Sequence, residues 1–176
     1  MGLEITTTML KMGIIGFGGM ASFHAKEIKE YDRINVAGVF DVNPERMKVA
    51  SDSGYKTYES SKAMLADDSL DVILIGTTNE VHKELAIEAM RAGKHVICEK
   101  PVTLTSGELE DIMAVEAETG KIFTINQNRR TNKDFVLMKN RVEEGLLGDV
   151  YVIESRVEGS RGMPRGWRTI KALGGG

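Results

Sequence analysis

The sequence predicts an α/β protein built on a doubly wound parallel sheet, followed by the first helix and strand of a second α/β domain with an antiparallel sheet. Three observations lead there. Short runs such as Asp71-Val72-Ile73-Leu74-Ile75-Gly76 are apolar throughout and alternate with amphipathic stretches. Strands of that kind are buried on both faces, which is the condition of a parallel sheet covered by helices. The first apolar run breaks directly into a glycine-rich turn, Gly16 to Ala21. Beyond about residue 130 the pattern changes: Val150 to Val157 is longer and more alternating, as suits an antiparallel strand with one solvated side.

The elements follow in order. Met12 to Ile15 reads as a short buried strand and Met20 to Glu30 as a helix. Ile34 to Phe40 is a second strand ending at Asp41. Asn43-Pro44 opens a helix, because Asn is a favoured N-cap and Pro is tolerated in the first turn. A short strand near Tyr55–Tyr58 and a helix near Lys62–Ala66 precede the apolar strand at 71–76. The next helix places Val81, Leu85 and Ala89 on one face, with Ala86 and Met90 beside them, and Gly93 stops it. His95 to Cys98 is a strand. Thr105 and Glu108 form a capping box for a helix running to Gly120. Ile122 to Ile125 is the last strand of this part. A helix carrying Phe135, Met138, Val142 and Leu146 on one side ends near Gly145. The expected organisation is an N-terminal extension at 1–10, a nucleotide-binding domain at 11–130, and the incomplete start of a second domain at 131–176.

Composition narrows the function classes. With 176 residues, the chain is long enough for one good core. A net charge of −3 gives no electrostatic case for nucleic acid or an anionic membrane. The single cysteine, Cys98, excludes an internal disulfide and a cysteine-based metal site, and its apolar surroundings make it a small buried residue. No apolar run approaches the ~20 residues of a membrane helix. The acidic start, Met1 to Thr8, is not a signal peptide, so a cytoplasmic location is the default expectation.

Three motifs carry chemistry. Gly16-Phe17-Gly18-Gly19-Met20-Ala21 is a G-x-G-x-x-A turn between a strand and a helix. Gly16 permits the tight turn, Gly18 lets the backbone approach a pyrophosphate, and Ala21 allows close packing of helix on strand. Asp41, at the end of the next strand, stands where an acid binds the adenine-ribose hydroxyls of NAD. Its charge opposes a 2′-phosphate, although Arg46 nearby could tolerate NADP; an Asx turn before Asn43-Pro44 is the structural alternative. The fold is therefore Rossmann-like. Second, Thr77, Thr78, Asn79 and His82 follow the 71–76 strand and would sit over the nicotinamide half of a dinucleotide. Thr77 with Glu80 equally forms a capping box, and His82 is otherwise a helix-surface residue. Third, Glu99-Lys100-Pro101 ends the next strand, and ligands of open α/β sheets bind at that end. A lysine there can give or take a proton.

In order and spacing, the glycine turn, Asp41, Thr-Asn-x-x-His and Ala92-Gly93-Lys94-His95-Val96-Ile97-Cys98-Glu99-Lys100-Pro101 resemble the glucose–fructose oxidoreductase / inositol dehydrogenase / MocA family. The likeness continues through Gln127-Asn128-Arg129, Gly145-Leu146-Leu147-Gly148, Trp167-Arg168 and Gly174-Gly175-Gly176. It implies an NAD- or NADP-dependent oxidoreductase acting on a hydroxyl or ketone of a sugar, inositol or related polyol. It also implies association of copies through the second-domain sheet. Lys100 matches the family's proton-transferring lysine, and Pro101 a proline often preceded by a cis peptide. Glu99, Thr77, Thr78 and Asn79 match cofactor-side positions. Gln127, Arg129, Trp167 and Arg168 match segments near the cofactor or sugar. The family's next segment carries an Asp and a His that complete the acid/base set. This chain is therefore expected to bind dinucleotide with little turnover of its own. A non-catalytic, nucleotide-sensing module is the alternative, and an oligomer-forming fragment is a third reading.

Overall fold

The structure is a computed structural model that describes residues 9–156, 158 and 166–174. Five parallel strands form one sheet in the order β2-β1-β3-β4-β5. They are β1 (Leu10–Ile15), β2 (Ile34–Phe40), β3 (Val72–Ile75), β4 (His95–Cys98) and β5 (Phe123–Ile125). The helices are α1 (Gly19–Glu27), α2 (Pro44–Asp52), α3 (Ser61–Leu65), α4 (His82–Arg91), α5 (Ser106–Thr119), α6 (Lys133–Glu143) and α7 (Lys171–Gly174). Leu10 and Lys11 already pair with Ile34 and Asn35, so β1 reaches back into the stretch read from the sequence as extension.

The apolar strands divide their side chains between two cores. On one face Ile73, Ile75, Val96 and Cys98 pack with Met64, Ala86, Met90 and Ile112 from α3, α4 and α5. On the other, Met12, Ile14, Val72 and Leu74 pack with Ala21, Ala25 and Ala50 from α1 and α2. All four residues of β3 are buried, which is why that run shows no polar alternation. Small residues on the covering helices let them lie close to the sheet.

Local signals set most boundaries. The Asn43 side chain accepts from the Glu45 amide at 2.8 Å with Pro44 in the first turn. The Thr105–Glu108 capping box forms, and α5 ends on Gly120 in the left-handed conformation. The stretch at 55–58 contributes one isolated parallel bridge, Thr57 to Val39, rather than a strand. Thr77 and Glu80 form no capping box: Thr77 Oγ1 donates to the Thr78 carbonyl, and Thr78 Oγ1 donates to Glu80 Oε1 at 2.7 Å. A short 3₁₀ turn, Asn79–Val81, intervenes before α4. In that helix His82, Ala86, Ala89 and Met90 are buried, while Val81 and Leu85 are only partly so.

The strand expected at 150–157 is not formed over 150–156, and Val157 lies outside the described residues. Tyr151 is 92% exposed and Val152 81%. A strand needs a neighbour to satisfy its backbone, and none lies beside this segment among the described residues. The helix α6 is present but buries none of its residues. No helix among the described residues is long and apolar enough to cross a membrane.

Below the sheet, at the amino ends of the strands, a polar lock fixes the entry to β3. Asp67 Oδ2 accepts from Tyr58 Oη at 2.6 Å and from Lys56 Nζ at 3.1 Å, and Asp67 Oδ1 accepts from the Ser69 amide at 2.9 Å. Buried Lys94 donates to the Asp67 carbonyl at 2.8 Å. The Tyr58 and Ser69 hydrogen bonds hold the Asp67 carboxyl well below the usual carboxylate range. A depressed carboxylate contributes stability above its unfolded value, near 3.8, and loses it as pH falls through the folded value. Asp67→Asn is therefore expected to lower the urea midpoint at about neutral pH, with the deficit narrowing toward about pH 2. A deficit independent of pH would contradict this account.

Candidate functional site

The strand order reverses between β1 and β3, and the loops leaving their carboxyl ends diverge to open a crevice, as such switch points do. The glycine turn leaves β1 there. Gly16 has φ +87°, and a Cβ on it would meet the Gly76 carbonyl and the Thr77 nitrogen at 2.8 Å. A Cβ on Gly76 would in turn lie 2.9 Å from that of Ala21. Turn, helix and β3 end thus interlock at a spacing that admits no side chain. Gly18 and Gly19 instead present bare backbone to open space. The α1 amino terminus has no side-chain cap and no acidic residue in its first turn. Free amides and the positive dipole end suit an anion, so this cradle fits a dinucleotide pyrophosphate.

Asp41 makes the Asx turn and, besides it, a contact that the sequence did not suggest. Its Oδ1 accepts from the Asn43 amide at 2.8 Å, an Asx turn, and its Oδ2 accepts from the Phe17 amide at 2.6 Å. It therefore ties the end of β2 to the glycine turn while lining the cleft.

One cleft of about 950 Å³ runs over these ends. It brings together Gly16, Gly18, Gly19, Met20 and Asp41 with Thr77, Thr78, Asn79, Glu99, Lys100 and Pro101, and also with Trp167 and Arg168. Arg46, Glu80 and Leu85 line it as well. Trp167 and Arg168 arrive because Asn79 Nδ2 donates to the Gly174 carbonyl at 3.0 Å, docking α7 beside the β3 loop. Four residues named from the sequence do not line it. Phe17 is buried against Tyr55 in an edge contact at 5.8 Å. Gln127 and Arg129 are exposed beyond β5.

His82 is the fourth, and it is not a surface residue. It is fully buried, and its Nδ1 lies 3.0 Å from the Pro101 carbonyl and 3.3 Å from that of Val102. It anchors the turn that carries Lys100 from below. The Lys100–Pro101 peptide is cis, and Lys100 itself is exposed at the cleft.

Glu99 is nearly buried, at 6% exposure. Its Oε1 accepts from His24 Nε2 at 2.6 Å and from Asn126 Nδ2 at 2.7 Å, and its Oε2 accepts from the Lys100 amide at 3.3 Å. Burial pushes this carboxyl up, but the His24 and Asn126 hydrogen bonds outweigh it and hold it below the usual range. Neither His24 nor Asn126 was identified from the sequence. Both stand far from Glu99 along the chain, and no spacing rule links them. Behind Glu99, burial and the neighbouring carboxylate push the Cys98 thiol up to about 12, so it is a packed, unreactive group.

Residues 10–127 match the GFO_IDH_MocA family, described as an oxidoreductase family with an NAD-binding Rossmann fold. The chain belongs to that family. A crystal structure of an NAD-binding protein from Listeria innocua is similar with a TM-score of 0.90 and 47% identity, covering 95% of this chain and 50% of that one. Inositol 2-dehydrogenase of Salmonella typhimurium is 28% identical over 169 residues, 93% of this chain and 50% of that protein. The WlbA dehydrogenase from Bordetella pertussis, solved with NADH and UDP-GlcNAcA, gives a TM-score of 0.77 at 28% identity, over 81% of this chain and 44% of that one. The chain spans about half the length of the curated relatives it matches.

The interlock at Gly16 makes a direct prediction. Gly16→Ala forces a side chain into a positive φ and against the β3 loop, so it is expected to cost more than about 1 kcal/mol from conformation alone. Overpacking adds about 1–3 kcal/mol. Urea denaturation measures the sum, and an unchanged midpoint would contradict the interlock.

Proposed function

We propose that this chain is the cofactor-binding part of an NAD-dependent oxidoreductase acting on a hydroxyl or ketone of a sugar, inositol or related polyol. The observation that carries the reading is the placement of Lys100. Its exposed amine lines the same cleft as the glycine turn and Asp41, at the opposite end. A dinucleotide on the cradle has its pyrophosphate at Gly18 and Gly19 and its adenine ribose at Asp41, which leaves the Thr77–Asn79 and Glu99–Lys100 end for the nicotinamide. When bound, the nicotinamide supplies a hydride acceptor or donor. Lys100 Nζ takes up or returns the proton of the reacting hydroxyl, the role of a positioned general base or acid. His82 and Glu99 fix the backbone on either side of Lys100, so the amine is presented from a rigid turn. Substrate class rests on the names of the relatives, which include an inositol dehydrogenase and a dehydrogenase solved with a nucleotide sugar acid. The exposed apolar side of α6 and the segment at 150–156 support a second domain whose sheet joins copies of the complete protein.

Asp41 is expected to make NAD bind at least about tenfold more tightly than NADP, a difference of about 1.4 kcal/mol, as measured by calorimetric titration. Lys100→Ala is expected to leave NAD affinity within about threefold while lowering turnover of the complete enzyme by about 10²–10⁴-fold. Undiminished turnover in that variant would favour a nucleotide-sensing role over an enzyme.

A further inference from the structure

The roles given above use Glu99 to hold the Lys100 amide but leave its charge, held by His24 and Asn126, without a use. Three separate segments converge on one carboxylate: α1, the residue after β5, and the Lys100 turn itself. A buried charged group is weak evidence for stability, because apolar residues of similar volume often serve as well. The partners therefore call for a use of the charge, and Glu99 lines the cleft at its Lys100 end.

We propose that His24 is a positioning residue: with Asn126 it holds the Glu99 carboxylate at the nicotinamide end of the cleft, and this fixed negative charge makes the site favour oxidised over reduced cofactor. The inference rests on the cofactor reading above. The two redox forms differ there by one unit of charge, since the ring is cationic when oxidised and neutral when reduced. A nearby carboxylate lowers the free energy of the first and leaves the second little affected, and a water-poor setting strengthens the difference. The other groups around it do not supply this. Cys98, behind on the same strand, is a neutral thiol, and Asn126 from the β5 side is uncharged. Lys100 on its own turn and Arg168 from the docked segment carry no carboxylate. Glu80 lines the cleft from the β3 loop, but its Oε1 accepts from Thr78.

His24 also joins the two ends of the site. It lies on the helix whose first turn is the phosphate cradle, and its side chain reaches Glu99 while remaining 21% exposed. Its hydrogen bond is the strongest single influence opposing the burial of Glu99. Removing it leaves burial less opposed, so the carboxyl titrates at higher pH and the preference for oxidised cofactor is lost earlier on acidification. His24→Gln keeps the hydrogen bond without the imidazole, because a glutamine amide still donates.

The experiment measures NAD and NADH dissociation constants for the wild type, Glu99→Gln, His24→Gln and His24→Ala from about pH 4 to about pH 8.5. The ratio of the two constants is insensitive to the folded fraction, so a partly unfolded variant remains informative. Glu99→Gln is expected to move the ratio toward NADH by about tenfold. His24→Gln is expected to keep the wild-type ratio near the alkaline end. His24→Ala is expected to lose the NAD preference at a pH about one unit higher than His24→Gln does. An unchanged ratio in Glu99→Gln overturns the inference, as does an equal loss of affinity for both forms in the two His24 variants. A wild type that binds neither form overturns the cofactor reading and this inference with it, whereas binding with unaltered ratios overturns this inference alone.

Discussion

The backbone of Gly76 and Thr77 lies so near the Cα of Gly16 that a Cβ there would sit 2.8 Å from three of its atoms. That approach fixes the first turn relative to β3 and, through Ala21 against Gly76, the angle at which α1 leaves the sheet. The amino terminus of α1 then points its amides into the crevice. Asp41 closes the arrangement from the β2 side by accepting the Phe17 amide at 2.6 Å. The cleft is in this sense a consequence of backbone packing, and the side chains that line it are placed by strand ends held in one register.

The Lys100 turn obeys the same logic with different means. Nothing in the apolar strand β4 itself prescribes the course of the chain after Cys98. His82 from α4 engages the Pro101 and Val102 carbonyls, and Glu99, held by His24 and Asn126, engages the Lys100 amide. Three helices and loops thus contribute polar groups to a single turn. The exposed amine of Lys100 stands at the end of a rigid support, which is what a proton-transfer group needs if it is to meet a substrate in one geometry.

Much of this was legible in the sequence. Continuous apolar strands, the glycine turn, Asp41, the Asn43 and Thr105 caps and the placement of Lys100 are local patterns with local causes. What was not legible depends on contacts between distant segments. His82 read as a surface residue because periodicity assigned the buried face to Val81, Leu85 and Ala89; its burial depends on the Pro101 and Val102 carbonyls, which lie beyond α4 in the chain. The convergence of His24 and Asn126 on Glu99 spans the sheet, and no periodic signal registers it. Thr77 and Glu80 have the spacing of a capping box, but the turn routes the Glu80 carboxylate to Thr78 instead. The strand expected from 150 has the right alternation, yet alternation does not supply a pairing partner.

The central claim is that the glycine turn and the Lys100 turn serve one bound dinucleotide. Hydrogen exchange measured with and without saturating NAD tests it most directly. The account expects slowed exchange in two separate segments, Gly16 to Ala21 and Glu99 to Val102, rising together with NAD concentration along one binding curve. Protection confined to the glycine turn, with the Lys100 segment exchanging as in the free protein, would contradict it.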